Sequence, residues 1–381
     1  MTNAEKNAEP KPLPKFLTRI SRWYRETAVT VLSTLILTCG FIFFSYAYYA
    51  IRGCGNPPIY SSHFRPRAMH RMDTEQASRF FKEFDQMGEA ETYIYQPWVG
   101  FSERIFHAPR LNVDEATPLP TRRTIQNSSN HAGRPLIVWV FGGSTMFGWG
   151  VPDDETMASH LSAILSRDLP GRSVAVTNHG HSYFFSSQEL ALFETLLRRG
   201  DHCDVAVFLD GLNESGIYSH HDTPAFTDRM AVAMAREQAR NPSARSYFWL
   251  SPDFPPLRLV GAIGGRLIRP PAPPPDQSPT YDQVNTYQFN LSAEAALGSI
   301  HGIKTLFFWQ PVPGEIGYAP ARDLAARVRQ SVKADNFYYI ADIFKDMDPR
   351  DVYVDYHHYG DIGNERIAEN IAGEVLKIVG N

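Results

Sequence analysis

The chain has 381 residues, of which 43% are hydrophobic, so it can build a sizeable core and global disorder is excluded. Its formal net charge is -4, from 37 basic and 41 acidic residues. No basic patch interleaved with aromatic residues occurs outside the N-terminal tail, so nucleic acid is not expected as a partner.

Residues 28–51 form an apolar run without a charged residue. As a helix it is long enough to cross a hydrocarbon core of about 30 Å, and tyrosines lie at its far end, where interfacial aromatics are common. Basic residues precede it: Lys11, Lys15, Arg19, Arg22 and Arg25. The positive-inside rule therefore predicts a cytoplasmic tail (1–27), one transmembrane helix (28–51) and an extracytoplasmic remainder, periplasmic in a Gram-negative bacterium.

Two alternatives to this anchor stay open. A cleaved signal peptide is one, because Ser45-Tyr46-Ala47 resembles a small-x-small cleavage site, although the run is longer than usual. Lipid attachment at Cys39 is the other, although more apolar residues follow that cysteine.

The remaining cysteines are Cys54 and Cys203, which could form one disulfide in an oxidising compartment or stay as two thiols. Because the chain has no Cys-x-x-Cys pair and no Cys/His cluster, we expect neither a zinc site nor another metal site. The sequence indicates no cofactor.

Residues 52–133 show weak periodicity and are interpreted as a stalk or cap that packs on the main domain. Within this region we predict a short helix at 74–84. Residues 93–101 are predicted to be an extended segment with a turn.

From Arg134 onward, short apolar runs typical of buried parallel strands alternate with helical patterns. Strands are predicted at 136–141, 173–177, 204–209, 304–310 and 337–343. Helices are predicted at 154–167, 186–199, 225–240, 281–302, 319–332 and 361–379. Ser186 and Glu189 have the spacing of a capping box at the start of the second of these helices. Residues 241–280 are rich in proline and predict an insertion.

Repeated strand–helix units predict a parallel sheet covered by helices on both faces, with a ligand site beyond the carboxyl ends of the strands. Gly142-Gly143-Ser144 follows the first strand, and backbone N–H groups near Ser144 could stabilise an oxyanion. Gly180 follows the second strand and Asn213 the third. Each of these turn sequences is common by itself.

Asp355 and His358 indicate that these turns belong to a catalytic site and are not merely ordinary turns. The two residues lie three apart on one predicted loop before the last helix. The carboxylate can fix the tautomer of the imidazole, which can then take a proton from Ser144. Gly363-Asn364 follows at the start of that helix.

Together these blocks resemble the SGNH (GDSL-like) hydrolase superfamily over residues 134–381. Ser144 lies in the variant nucleophile block VFGGSTMFG, in which Gly143 replaces the aspartate of the family's G-D-S. Gly180 and Asn213 match the second and third blocks, and Asp355 with His358 matches D-x-x-H.

The resemblance implies a flavodoxin-like three-layer α/β/α fold and a catalytic triad of Ser144, His358 and Asp355. It also implies an oxyanion hole formed by the N–H of Ser144, the N–H of Gly180 and the side chain of Asn213. His357 lies outside the D-x-x-H spacing and is assigned to packing or substrate contact.

The predicted function is a membrane-anchored serine esterase that removes or transfers O-acyl groups, acetyl in particular, on cell-surface carbohydrate. A lipid or small-ester hydrolase with the same triad is one alternative. A non-catalytic assembly or binding subunit of a polysaccharide export or modification system is another. Residues 52–133 and 241–280 are the expected specificity elements. Four aromatic residues near the predicted turns could stack on sugars or pack in the core: Trp149, Tyr183, Phe184 and Phe185.

Overall fold

The computed structural model describes residues 15–51, 64–89, 93–127, 131, 133–215, 256, 259–260, 282–313 and 319–380. The chain forms two compact units: Met1–Pro57 with Pro242–Pro273, and Pro58–Asn241 with Pro274–Asn381. The predicted helix at 225–240, nearly all of the proline-rich stretch 241–280, and Cys54 lie outside the described residues. The pairing of Cys54 with Cys203 therefore stays a prediction.

In the first unit residues 15–51 form a long helix, α1 (Lys15–Ile51), which contains the predicted apolar run. Its section Arg19–Tyr48 is long and apolar enough to cross a membrane, a property that membrane anchors share with signal sequences. The hydroxyls of Thr30, Thr34 and Ser45 donate to backbone carbonyls one turn earlier, at 2.7–2.9 Å. These polar groups are thus satisfied within the helix, as a hydrocarbon environment requires.

The other described elements belong to the second unit. Its strands are β1 (Tyr93–Gln96), β2 (Gly100–Glu103), β3 (Phe106–His107), β4 (Asn112–Asp114), β5 (Thr121–Arg122), β6 (Leu136–Gly142), β7 (Val174–Asn178), β8 (Val205–Asp210), β9 (Lys304–Trp309) and β10 (Phe337–Tyr339). Its helices are α2 (Thr74–Glu89), α3 (Ser144–Phe147), α4 (Met157–Asp168), α5 (Ser186–Arg198), α6 (Gln283–Ile300), α7 (Ala319–Ser331), α8 (Pro349–Val352) and α9 (Asp361–Val379).

Eight of these strands form one sheet in the order β10-β9-β8-β6-β7-β5-β4-β3. The five strands from β6 to β10 are parallel, and in their own sequence order they run 2-1-3-4-5, the flavodoxin-like arrangement. The direction of winding reverses at β6, so a crevice is expected at its carboxyl end.

Side chains alternate along the central strands between two buried cores. In β6, Val138 and Val140 face the core that α4 and α9 cover, whereas Trp139 and Phe141 face the core that α5, α6 and α7 cover. This double burial explains why the strand reads as an almost continuous apolar run. The predicted three-layer α/β/α fold is confirmed.

Most predicted elements lie within a few residues of those observed, but the last strand is shorter than predicted. It ends at Tyr339 rather than at Ile343, because residues 341–346 form turns. The predicted capping box is wrong: the residue that caps α5 is Phe185, with no side-chain cap hydrogen bond, and Glu189 is buried.

The region predicted as a stalk or cap also contributes strands to the sheet. β3, β4 and β5 continue it in antiparallel fashion beyond β7. Each has only two or three residues, too few to show a period in the sequence. The sheet therefore extends past the domain boundary predicted at residue 134.

A buried arginine joins this edge to the loop that follows α3. Arg122 on β5 donates to the carbonyl of Val151 at 2.8 Å and pairs with Asp153 at 3.0 Å. Asp153 also accepts the side-chain amide of Asn112 at 2.6 Å. Burial lowers the pKa of Arg122 and raises that of Asp153, and each charge opposes the shift of the other.

We expect Arg122→Ala to lower the free energy of unfolding by about 3–5 kcal/mol, because Asp153 is left buried without an opposite charge. The neighbouring Arg123 pairs with Asp114 through side chains that are 41% and 34% exposed. Arg123→Ala is therefore the matched control and should cost less than about 1 kcal/mol. Urea unfolding of the detergent-solubilised chain measures both, and equal losses would contradict the assignment.

Candidate active site

Ser144 lies at the first position of α3, directly after β6 and the two glycines. A Cβ atom at Gly143 would overlap the side-chain amide of Asn213 and lie 3.0 Å from the carbonyl oxygen of Phe184. A Cβ atom at Gly142 would lie 2.6 Å from Cβ of Met146. The absence of side chains here lets the loops after β7 and β8 approach the serine turn.

Asp355 and His358 lie on a tight loop between α8 and α9. The N–H of Val354 donates to the carbonyl of His358 at 2.9 Å, and Tyr353 pairs with Tyr359 across the loop. A Cβ atom at Gly150 would lie 2.6 Å from Val354, so this glycine permits close contact between the Asp355 loop and the segment after Ser144.

A chain of hydrogen bonds connects Ser144, His358 and Asp355. Ser144 Oγ lies 2.7 Å from His358 Nε2, and His358 Nδ1 lies 2.6 Å from Asp355 Oδ2. Asp355 Oδ1 accepts the backbone N–H groups of His357 and His358, both at 2.8 Å. The three side chains belong to buried residues, which are 8%, 6% and 8% exposed in the order Ser144, His358, Asp355.

The carboxyl of Asp355 is held in its ionised form. Burial acts to raise its pKa, but the charge and hydrogen bond of His358 and the N–H of His357 hold the pKa below its ordinary value. An ionised Asp355 requires Nδ1 of His358 to be the donor, which leaves Nε2 free to accept the Ser144 proton.

His357 packs beside the triad, with its ring centroid 4.1 Å from that of His358. Burial lowers its pKa to about 3, so it is neutral near pH 7. Among the described residues, Asp355, His357 and His358 also offer ligand atoms within 4.8 Å of one another. Both ring nitrogens of His358 are already engaged, so a metal there would break the hydrogen-bond chain.

The predicted oxyanion donors lie beside the serine turn but have other partners. The N–H of Gly180 donates to Asn178 Oδ1 at 2.9 Å, and Gly180 packs against the backbone of α3. Asn213 Nδ2 donates one hydrogen to the carbonyl of Phe184 at 2.6 Å, which leaves its second hydrogen available. The oxyanion roles of Ser144, Gly180 and Asn213 stay predictions.

Two features of the chain decide the fold. One is the order of the parallel strands. The other is the placement of the serine, glycine and asparagine turns after β6, β7 and β8, with the Asp–His loop before α9. The chain has an SGNH-type fold.

No protein-family model matches the sequence, and a search of curated proteins gives no match. Solved structures do match, 51 chains in all. One is a putative lipolytic protein of the G-D-S-L family from Desulfitobacterium hafniense, with 12% identity, a TM-score of 0.35 and coverage of 62% of this chain and 98% of that one.

Two further structures are similar at the same level. An acetylxylan esterase from Geobacillus stearothermophilus has 11% identity and a TM-score of 0.39, and covers 65% of this chain and 96% of its own. A lipase/acylhydrolase from Enterococcus faecalis has 15% identity, a TM-score of 0.36 and coverage of 63% and 94%. Similarities this low say nothing about activity, which rests on the site geometry.

Glu214 lies beside the candidate site and was not predicted from the sequence, although it directly follows Asn213. Its two carboxylate oxygens accept the N–H of Ser186 at 2.8 Å and the N–H of Gly211 at 2.7 Å. Glu214 thus ties the end of β8 to the start of α5, and Phe184, which holds the Asn213 amide, lies next to that helix. The sequence signal was a carboxylate adjacent to the asparagine of the third block.

Three more carboxyl groups lie near Glu214 in the core: Glu189 on α5, Asp210 on β8 and Glu294 on α6, each at most 2% exposed. Burial raises the pKa of all three well above ordinary values, and their mutual repulsion adds to the shift. Burial also raises the pKa of Glu214, but its two backbone donors act in the opposite direction. The two backbone N–H groups that Glu214 accepts favour its ionised form over that of its three neighbours.

Other predicted residues have structural roles. Trp149 and Phe184 are 6% and 1% exposed, so they pack in the core and are not available to stack on a sugar. Trp149 contacts the rings of Phe84 and His358 at centroid distances of 5.3 and 6.0 Å. Asn364 is buried and donates to the carbonyl of Glu155 at 3.0 Å.

We expect Glu214→Gln to lower kcat for ester hydrolysis while KM changes little, because the variant keeps the loop but replaces one acceptor with an NH2 group facing an N–H. Asn213→Ala should lower kcat by roughly 100-fold if Asn213 supports an oxyanion. The matched control is Glu194→Gln on α5, where the partly exposed Glu194 side chain pairs with Arg198. A loss in KM alone for Glu214→Gln would contradict a positioning role.

We expect the free energy of unfolding to fall as the pH rises above about 4.5, toward the raised pKa of Glu294 in the folded chain. Glu294 has a raised pKa in the folded chain, so its stabilising contribution is complete below the unfolded value near 4.5 and is lost toward the raised value. Glu294→Gln, which resembles the protonated acid, should show a shallower decline, with a difference of up to about 1.4 kcal/mol per pH unit. Urea unfolding at each pH measures the slope of the unfolding free energy against pH, and the exposed Glu369→Gln is the control. Identical slopes for the wild type and Glu294→Gln would contradict the prediction.

Proposed function

We propose that this chain is a membrane-anchored serine esterase that acts outside the cytoplasm on O-acyl, and specifically O-acetyl, groups of cell-surface carbohydrate. The observation that carries the proposal is the hydrogen-bond chain from Ser144 through His358 to Asp355, at 2.7 and 2.6 Å. Nucleophile, base and orienting carboxylate in this order are the groups that acyl transfer through a serine requires.

In the first step His358 Nε2 takes the proton of Ser144 as Oγ attacks the ester carbonyl. The charge that forms on the imidazole is stabilised by the ionised Asp355. The developing oxyanion accepts hydrogen bonds from the N–H of Ser144 and the second amide hydrogen of Asn213. The Gly180 N–H would have to exchange its bond to Asn178 for one to the oxyanion.

In the second step protonated His358 gives its proton to the leaving alcohol oxygen, and the acyl group remains on Ser144. His358 then deprotonates an acceptor, which attacks the acyl carbonyl, and the imidazole returns this proton to Ser144 Oγ as the bond between Oγ and the acyl carbon breaks. Water as acceptor makes the enzyme an esterase, and a sugar hydroxyl makes it an O-acyltransferase.

The N-terminal helix and its charges support the proposed location. The section Arg19–Tyr48 is long enough to cross the hydrocarbon core, and basic residues lie before it and in its first turns. By the positive-inside rule this favours a cytoplasmic N-terminus and, as proposed, an extracytoplasmic hydrolase unit.

The test compares the full-length chain in detergent with its Ser144→Ala variant on p-nitrophenyl acetate. We expect Ser144→Ala to lose at least about 1,000-fold in initial rate, because alanine lacks the hydroxyl that attacks the ester. Ser292→Ala is the matched control, since this exposed serine on α6 donates to the carbonyl of Gln288 in the same helix. Equal rates for wild type and Ser144→Ala would overturn the catalytic assignment and favour a non-catalytic assembly role.

A further inference from the structure

A buried glutamate outside the predicted hydrolase domain holds the loop that follows Gly180. Glu103, the last residue of β2, is 0% exposed, and both of its carboxylate oxygens have a partner in that loop. Oε2 lies 2.6 Å from His181 Nδ1, and Oε1 accepts the N–H of Ser182 at 2.7 Å. His181 Nε2 is buried and has no hydrogen-bond partner among the described residues, so the polar group that fixes this ring is Glu103.

The loop that Glu103 holds is a strained turn. The N–H of Phe184 donates to the carbonyl of His181 at 3.2 Å, which closes a four-residue turn with Tyr183 at its third position. Tyr183 has φ +66°, whereas the φ of Ser182 is not positive. This combination is typical of a type II turn, whose third position favours glycine. A tyrosine there costs free energy, so contacts from outside the turn have to keep it in place.

The two ends of this turn contact the nucleophile turn and the asparagine of the third block. The carbonyl oxygen of Phe184 accepts the side-chain amide of Asn213 at 2.6 Å, and a Cβ atom at Gly143 would lie 3.0 Å from the same oxygen. At the other end, the N–H of His181 donates to the carbonyl of Gly142 at 3.0 Å. The conformation of the turn therefore determines where the acceptor for Asn213 lies.

The orientation of the Asn213 amide depends on that acceptor. One amide hydrogen is bonded to Phe184, and because the amide group is planar, this bond also fixes the direction of the second hydrogen. A shift of the Phe184 carbonyl would rotate the amide and redirect the second hydrogen. A donor stabilises an oxyanion well only where it is held in position before the reaction begins.

We propose that Glu103 is a positioning residue of the active site, which holds the turn 181–184 and thereby orients the Asn213 amide toward the developing oxyanion. The inference rests on the proposed function, because it assigns Asn213 the role of an oxyanion donor. Glu103 is fully buried, so it acts through the turn and not by contact with the substrate. The β1–β2 hairpin, which belongs to the region predicted as a stalk or cap, thus supports the catalytic machinery.

The kinetic test compares Glu103→Gln with wild type on p-nitrophenyl acetate, with the full-length chain in detergent. The amide has one acceptor oxygen where the carboxylate has two, so it cannot accept from both His181 and Ser182. We expect kcat to fall about tenfold while KM changes little. Glu75→Gln is the matched control, since Glu75 on α2 pairs with Arg79 through side chains that are 78% and 69% exposed.

A second background separates positioning from a general loss of structure. The Asn213→Ala chain lacks the amide that Glu103 is proposed to orient, so Glu103→Gln should lower kcat there by less than about twofold. A fall of similar size in both backgrounds would overturn the proposal, and so would an unchanged kcat for Glu103→Gln in the wild-type background.

Hydrogen–deuterium exchange tests the hold on the turn without catalysis. In the Ser144→Ala chain, Glu103→Gln should make the backbone amides of Ser182 and Phe184 exchange at least about tenfold faster, whereas Glu75→Gln should not. Faster exchange supports the hold on the turn even where p-nitrophenyl acetate is not hydrolysed, a result that would count against the proposed function alone. Unchanged exchange overturns the positioning role.

Discussion

The site depends on close backbone packing at the end of β6. Because β7 and β8 lie on either side of β6, their following loops necessarily meet the turn that carries Ser144. A side chain at Gly143 would displace the Asn213 amide, and one at Gly180 would lie 2.6 Å from the backbone nitrogen of Phe147. Three loops can therefore converge on one serine only because these positions carry no Cβ atom.

Buried carboxylates stabilise these loops where regular structure ends. Asp355 accepts two backbone N–H groups of its own loop, Glu214 connects β8 to α5, and Glu103 holds the loop after Gly180. Backbone donors in irregular segments need partners once they are removed from water, and an ionised acceptor forms the stronger bond. Asp355 and Glu214 each accept two backbone N–H groups, and Glu103 accepts one in addition to its bond with His181, so the loops gain a defined geometry without a sheet or helix to hold them.

The sequence predicted the parts of this arrangement that repeat a period or occupy a fixed place after a strand. Because β6 and β8 are buried on both faces, their sequences are continuous apolar runs that can be predicted as strands. Asp355 and His358 could be predicted because they lie three residues apart on one tight loop. Strands of two residues such as β3 and β5 leave no pattern, and their pairing depends on contacts distant in sequence. Glu189 matched a helix cap locally, but its surroundings place it in a buried acid cluster, which no local pattern shows.

Burial of the triad limits what part of a substrate can reach it. With Ser144 and Asp355 each 8% exposed and His358 6% exposed, a small acyl group fits this access better than a bulky carrier, which must lie on the surrounding surface. Affinity for the carrier then has to come from residues outside the triad. Trp149 and Phe184 are packed in the core, so in the proposed esterase that affinity has to come from side chains other than these two aromatic residues.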